Sequence, residues 1–382
     1  MANRLTFPDA ALPASTQEIR SRVRTFLQDE LAKGSFTPRV DTWLSGHDAA
    51  FSAKLGAEGF LGLTYPKQYG GQERSALDRF VVVEELLATG APIAAHWIAE
   101  RQSGPSILKY GNDALREEIV PGIAAGEIYF SIGMSEPDSG SDLASIRSNA
   151  RKVDGGWVVN GTKVWTSQAH NNQYFIVLVR TTPASESSGR HNGMSQFVLD
   201  LRAPGVQIRP IRLLSGHHHF NEVVMTDVFV ADYMLLGVQG NGWSQVIGEL
   251  AYERSGPERI LSTYPLLAAL VDAVGPDPSA EAAAELGTLV ARMAALRRLC
   301  ISVAMSLDAG RSPVTEAALV KDLGTQLEGE IPEVARRLVA PGHNEAFDQL
   351  VADSVLSAPG FTLRGGTNEI LRGIVARELG VR

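Results

Sequence analysis

IYFSIGMSEPDSGSD, residues 128–142, marks the point at which the hydrophobic period of the chain changes. Upstream, apolar residues recur at the spacing of a helix face. Ile19, Val23, Phe26 and Leu27 stand at i, i+4, i+7 and i+8. Ser15-Thr16-Gln17-Glu18, just before them, reads as a capping box. Further helices are expected around 47–58, 76–88, 92–110 and 113–125, punctuated by Gly70-Gly71 and Gly111. From 128 onward the segments are short and rich in β-branched and aromatic residues. They are IYFSIG, WVVNG, YFIVLVRT, SQFVL, VQIRPI and EVVMTDVFV, separated by Asp-Gly-Gly and Asn-Gly turn signals. After Gly242 the helical period returns, with Ala-rich helices near 279–309 and 314–340. The expected class is α+β: an N-terminal helical domain over 1–127, a central β domain over 128–235 and a C-terminal helical bundle over 236–382.

Composition narrows the function. With 35 Lys+Arg against 43 Asp+Glu, the formal net charge over 382 residues is −8. Such a balance lacks the basic footprint that nucleic acid or an anionic membrane requires. Cys300 is the single cysteine, so an intrachain disulfide and a thiolate metal cluster are excluded. Its context, RRLCISVAM, reads as a small buried side chain on a helix. MANRLTFPDAALPAS has neither a signal-peptide apolar core nor an Arg-rich transit pattern, and no apolar run is long enough to span a bilayer. A cytoplasmic location is expected.

Several chemical motifs fail on inspection. Gly237-Val-Gln-Gly240-Asn-Gly242 is not G-x-G-x-x-G and has no βαβ unit around it. His217-His218-His219 reads as a loop leading into a strand. Adjacent strand residues face opposite sides, so three consecutive imidazoles cannot share one ion, and no metal site is expected. No G-x-S-x-G elbow is present. Two segments stand out instead. Gly133-Met-Ser-Glu-Pro-Asp-Ser-Gly-Ser-Asp142 ends a strand and is dense in backbone N–H groups and hydroxyls that suit a polar ring edge or a phosphate. Asn160-Gly-Thr-Lys-Val-Trp165-Thr-Ser167 places two hydroxyls after an exposed-looking Trp on an adjacent strand.

These two segments, with LGAEGFLGLTYPKQYGG, KYGNDALREEIVPGIAAGE, FNEVVMTDVFV and GGTNEILRGIVARELG, resemble the acyl-CoA dehydrogenase family of flavoproteins from about residue 50 to the C-terminus. The resemblance implies an N-terminal helical domain, a central β-barrel domain and a C-terminal four-helix bundle. It implies FAD against the β domain, with Ile132, Gly133, Met134 and Ser135 lining the flavin and the Ser135 hydroxyl near its reactive nitrogen. Trp165, Thr166 and Ser167 would flank the other edge. Ser135 and Ser167 stand where the family usually has Thr, and both keep the hydroxyl. Ser141 matches a residue at the cofactor and acyl-CoA, and Thr367 and Glu369 match positions that hold the adenylate half of FAD. Trp165 also resembles a residue near the docking face for electron-transferring flavoprotein.

The implied reaction is α,β-dehydrogenation of an acyl-CoA thioester to the trans-2-enoyl-CoA, which needs a carboxylate base in a dry pocket and a polarised thioester carbonyl. Many family members carry the base just before the terminal Gly-Thr; here that position is Gly365, which can supply only a backbone N–H. Isovaleryl- and long-chain-type members carry it on a bundle helix before an Arg, and Glu253 followed by Arg254 matches that placement. Tyr252, Arg254 and Gly365 complete the expected substrate contacts. Glu258 reads as structural. Pro257 has no N–H for the carbonyl of residue 253, so a kink or widened turn is expected in LAYERSGPERI, 250–260. The family's FAD clamps from a neighbouring subunit, Arg-x-x-Phe-Gly and Gln-x-x-Gly-Gly-x-Gly, have no counterpart in LAALVDAVGPDPSAEAAAE or VADSVLSAPGFT. The expected assembly is a homotetramer or an α2β2 pairing with a homologous chain that carries the clamp. The rival functions are a flavin monooxygenase or oxidase on the same fold, and a non-catalytic structural subunit of a hetero-oligomeric dehydrogenase.

Overall fold

The computed structural model describes residues 5–381, and for 250–253 the backbone alone. Before the first strand come helices α1 (Thr16–Ala32), α2 (Thr42–Ser45), α3 (Ala49–Ala57), α4 (Ala76–Ala88), α5 (Ala94–Ile98), α6 (Gly104–Tyr110) and α7 (Asp113–Ala124). Eight strands follow: β1 (Phe130–Gly133), β2 (Asn149–Val153), β3 (Gly156–Ser167), β4 (Tyr174–Arg180), β5 (Met194–Asp200), β6 (Val206–Ile211), β7 (Phe220–Ala231) and β8 (Leu235–Leu236). The rest is helical: α8 (Gly242–Glu253), α9 (Tyr264–Val274), α10 (Ala280–Asp308), α11 (Val314–Leu338), α12 (Glu345–Phe361) and α13 (Asn368–Glu378).

The chain forms two compact units, each assembled from separated stretches. One holds His47–Glu73 and Ile93–Glu249; the other holds the residues through Gly46, Arg74–Pro92 and everything from Leu250 onward. In the first unit the expected β domain is a mixed sheet ordered β6-β7-β3-β2-β4-β5-β8, with β1 pairing in parallel with β4. β4 shows why the sheet forms here. Alternate residues of a strand face opposite sides, and β4 is apolar on both. Phe175, Val177 and Val179 enter a core with Trp157, Phe197, Val223 and Val228. Ile176 joins Phe130, Ile107, Leu115 and Ile119 in a second core against α6 and α7. A strand buried on both faces reads as a continuous apolar run.

In the helical unit, α11 packs against α9, α10, α12 and α13, and α4 links α1 to α10. Helix starts are capped where the sequence offers a side chain in extended geometry. Ser75 and Asp78 form a reciprocal capping box on α4, and Ser279, Asn344 and Thr367 cap α10, α12 and α13. A buried charge network ties α1, α4 and α10 together. The Glu84 carboxylate accepts from Arg20 at 2.8 Å and from Arg297 at 2.9 Å, and Glu85 accepts from Arg24 at 2.8 Å.

Several local expectations are corrected. The capping box at Ser15 does not form: Ser15 is itself helical (φ −57°, ψ −26°) and makes no side-chain cap. A residue in that conformation cannot aim its hydroxyl at the first helical N–H groups. The segment expected as one helix over 92–110 is split by a π-helical turn, Ala99–Ser103, between α5 and α6. The stretch 250–260 breaks instead of kinking. α8 stops at Glu253, Gly256 is extended (φ −79°, ψ 171°) and Pro257–Arg259 forms a 3₁₀ turn. Both follow from Pro257, which removes a helical donor and biases the preceding residue away from α. Nor is this stretch a solvated charged face: Arg254, Glu258 and Arg259 are 4 %, 0 % and 1 % exposed.

Candidate active site

In the sheet unit the site is built where β1 ends beside β3. Gly133 closes β1 against β4, and a Cβ there would lie 2.6 Å from the Phe175 ring, so no other residue fits. Ile132 packs on the core under α6 and α7, and Met134 packs with Leu178, Met194 and Val246. The Val164 N–H donates to the Ser135 carbonyl at 2.9 Å, which pins Ser135 against β3. Beyond Lys163 the β3–β7 ladder slips register. In that bulge Trp165 adopts φ +58°, a left-handed conformation that is an outlier for a bulky residue. The bulge turns the Trp165 ring outward, 55 % exposed, with an edge contact to Phe220 at 5.8 Å between ring centres. Such bulges re-aim side chains and cluster at functional sites.

Carbonyls on the far side of the bulge are held by side chains. Ser167 O accepts from the Ser131 hydroxyl at 2.7 Å, and Thr166 O accepts from Asn221 Nδ2 at 3.1 Å. Thr166 itself is fully buried, and its hydroxyl oxygen has no hydrogen-bond partner among the described residues. Thus Ser135, Trp165, Thr166 and Ser167 are brought together as two adjacent edges. Ser141 lies apart from them, exposed in the turn after β1, beside Asp142, which pairs with Arg190.

Beneath these edges lies a pair that the sequence reading did not single out. The Lys163 ammonium, 0 % exposed, donates to the Met134 carbonyl at 3.0 Å and to Glu136 Oε1 at 2.8 Å. Burial pushes Lys163 down to about 8 against the pull of Glu136. Burial alone would raise the Glu136 carboxyl. The Lys163 charge and hydrogen bonds from Arg147 and Ser148 outweigh it and hold the group below its ordinary value. Lys163 sits inside a quoted motif, but nothing in one sequence says that a lysine flanked by Val and Thr points inward. A one-residue change of strand parity would reverse it.

The second set of expected residues lies in the helical unit. Arg254 Nε donates to the Gly365 carbonyl at 3.1 Å, which ties the residue after α8 to the turn before α13. Gly365 and Gly366 both have positive φ, +68° and +87°. Lys321, fully buried, donates to the Gly366 carbonyl at 2.7 Å and to Asn368 Oδ1 at 2.9 Å. Thr367 caps α13, and Glu369 is exposed in its first turn. Hydrogen bonds from its own N–H and from Thr367 hold the Glu369 carboxyl below its ordinary value. Glu253 is the last residue of α8. Its side chain and that of Tyr252 lie outside the described residues.

Three family models match successive parts of the chain: the acyl-CoA dehydrogenase N-terminal domain over 13–127, the middle domain over 131–228 and the C-terminal domain over 281–380. The chain belongs to the acyl-CoA dehydrogenase family. Among its family relatives, acyl-CoA dehydrogenase IpdE1 of Mycobacterium tuberculosis is 35% identical over 244 residues, covering 62% of this chain and 63% of that one. FadE29 of the same organism is 28% identical over 384 residues, with 96% of each chain covered. The chain spans less than two thirds of the first curated relatives it matches: 63% of IpdE1, 59% of FadE26 and 45% of FadE34. Among solved structures, the ChsE4-ChsE5 complex from Mycobacterium tuberculosis superposes with TM-score 0.81 at 26% identity, over 97% of this chain and 98% of that one. Butyryl-CoA dehydrogenase from Megasphaera elsdenii shares the acyl-CoA dehydrogenase fold at TM-score 0.85 and 21% identity, over 98% and 100%. No helix among the described residues is long and apolar enough to cross a membrane.

Proposed function

We propose that this chain catalyses FAD-dependent α,β-dehydrogenation of an acyl-CoA thioester and passes the electrons to electron-transferring flavoprotein. The observation that carries the reading is the hydrogen bond from Arg254 to the Gly365 carbonyl. It joins the end of the helix bearing Glu253 to the peptide expected to polarise the thioester. The sheet-unit edges fit a flavin: the Thr166 hydroxyl is buried without a partner among the described residues, as a group awaiting a ligand would be, and Trp165 is held outward by its bulge. FAD, when bound, supplies the acceptor for the hydrogen that leaves the β-carbon as hydride. Glu253 accepts the α-proton, and the Gly365 N–H donates to the thioester oxygen as charge develops there. Ile132, Gly133, Met134, Ser135, Thr166 and Ser167 line the cofactor, Thr367 and Glu369 hold its adenylate half, and Ser141 and Tyr252 contact the acyl-CoA. The exposed Trp165 ring supports a docking surface for the acceptor flavoprotein.

Glu253→Gln keeps the shape and removes the proton acceptor. It should retain FAD and lose flavin reduction by acyl-CoA by about 10² or more in a stopped-flow measurement. Reduction at the wild-type rate would overturn the assignment. Glu258→Gln is expected to lower stability and leave the reduction rate of the folded protein unchanged, since Glu258 is buried.

The assembly we propose is an α2β2 pairing with a homologous chain. Support comes from the missing clamp segments and from a similar chain's occurrence in the ChsE4-ChsE5 complex. Without a neighbour's Arg the flavin pyrophosphate forfeits charge-assisted hydrogen bonds. The chain alone should therefore hold less than one FAD, read from the flavin-to-protein absorbance ratio alongside the assembly mass. A stable homotetramer with one FAD per chain would refute the pairing.

A further inference from the structure

Asn221 is completely buried at the start of β7, and its amide touches three groups. Nδ2 lies 3.1 Å from the Thr166 carbonyl and 3.1 Å from His170 Nδ1, while Oδ1 lies 2.8 Å from His218 Nε2. The roles at these contacts are forced by counting protons. A carbonyl oxygen only accepts, so the face of Asn221 toward Thr166 must be the NH₂. The same NH₂ faces His170 Nδ1, so that nitrogen must be unprotonated. A neutral imidazole carries one proton, which then sits on His170 Nε2, the nitrogen 3.0 Å from the Asn171 amide. Asn171 Nδ2 also faces Gln168 Oε1 at 2.9 Å, so a proton on His170 Nε2 requires the Asn171 and Gln168 amides to turn together, and His218 must donate from Nε2. One tautomer of His170 satisfies this arrangement.

An imidazolium at His170 would set Nδ1–H against the Asn221 NH₂, donor against donor. Resting on the flavin reading above, we propose that Asn221 is a positioning residue for the Thr166–Ser167 wall. The neutral His170 tautomer keeps its amide on the Thr166 carbonyl, and protonation of His170 releases that carbonyl. The surroundings favour the neutral form. His170 stacks on His218 at 4.1 Å with an interplanar angle of 17°. Burial lowers its pKa, and the neighbouring His218 and His47 lower it further; the N–H that Asn221 donates to Nδ1 also favours the neutral ring. The titratable groups around it are imidazoles: His218 on the loop before β7 and His47 before α3. Asp48 and Tyr129 stand beside His47. His170 has no carboxylate partner among the described residues. His170 also keeps solvent contact, so a proton can reach it.

The test has two parts on the full-length protein. Nitrogen-15 spectra of the FAD-free protein at pH 8 should give His170 as the Nε2–H tautomer; the Nδ1–H tautomer would overturn the inference whether or not FAD binds. FAD affinity, titrated by flavin fluorescence between pH 8 and pH 5, should fall about tenfold or more in the wild type. It should stay nearly flat in His170→Phe, which keeps the ring stack and the Asn221–Thr166 bond but cannot titrate. An equal fall in His170→Phe would refute the coupling. If neither protein binds FAD at pH 8 even with the homologous partner chain present, the flavin reading fails. The tautomer and its pH dependence then still decide what holds the Thr166 carbonyl.

Discussion

Thr166 is buried completely, and its hydroxyl has no partner among the described residues. A polar group left in that state costs about 1–3 kcal/mol. Thr166→Val replaces the hydroxyl by a methyl of similar shape, so the FAD-free variant should unfold at the same temperature or higher. Its FAD affinity should fall about 3- to 10-fold, since a hydrogen bond is worth roughly 0.5–1.5 kcal/mol. Equal affinity would mean that the hydroxyl does not face the cofactor. At this scale the sequence singled out candidate positions and said less about what holds them. Ser135, Trp165 and Thr166 stood out because hydroxyls and an aromatic cluster at strand ends. Asn221 and His170 did not, because their roles depend on where two loops return. Glu258 was read as structural; its burial could not be seen from a Glu beside an Arg.

The bulged end of β3 depends on Lys163 and Glu136, whose charges meet inside the sheet unit. Breaking a buried pair by removing one partner typically costs 3–5 kcal/mol, because the other charge remains uncompensated. Lys163→Met and Glu136→Gln should each destabilise the protein by roughly that amount. The double variant should cost clearly less than the sum of the two, measured by denaturant unfolding. Strict additivity would deny the pairing. Elements with strong periodicity were legible: α4 spans Ala76–Ala88, within the range expected for it, and the apolar run of β4 was read as a strand. β2 was missed because Asn149–Val153 offers charged residues and a single buried Ala in place of an alternating apolar face. β8 is two residues long, too short to carry a period. The π-turn at Ala99–Ser103 shifts the helical phase by a residue, which a 3.6-residue template reads straight through.

Glu328, on α11, links charge burial to the stability of the whole molecule. Burial raises its carboxyl from 4.5 to about 7; Arg364 and the hydrogen bond from the Ser262 N–H oppose the rise, and Asp41 adds to it. Between those values the folded state keeps a proton that the unfolded chain has released. Stability therefore falls as pH rises through that window, by about 3 kcal/mol in all. Glu328→Gln keeps an acceptor for Ser262 and cannot ionise. Its melting temperature should match the wild type near pH 5 and exceed it at pH 8; parallel curves would refute the account. The helical unit that contains Glu328 also constrains how the chain can be made. Its first helix, α1, packs on α4, α4 packs on α10, and Glu84 of α4 awaits Arg297 from more than two hundred residues later. On a ribosome those early helices emerge long before α10, so Glu84 can meet Arg20 of α1 at once but must wait for Arg297. Contacts of such sequence separation form slowly. A nascent chain ending near Glu249 would thus hold every segment of the sheet unit together with α1, α2 and α4, still without α10.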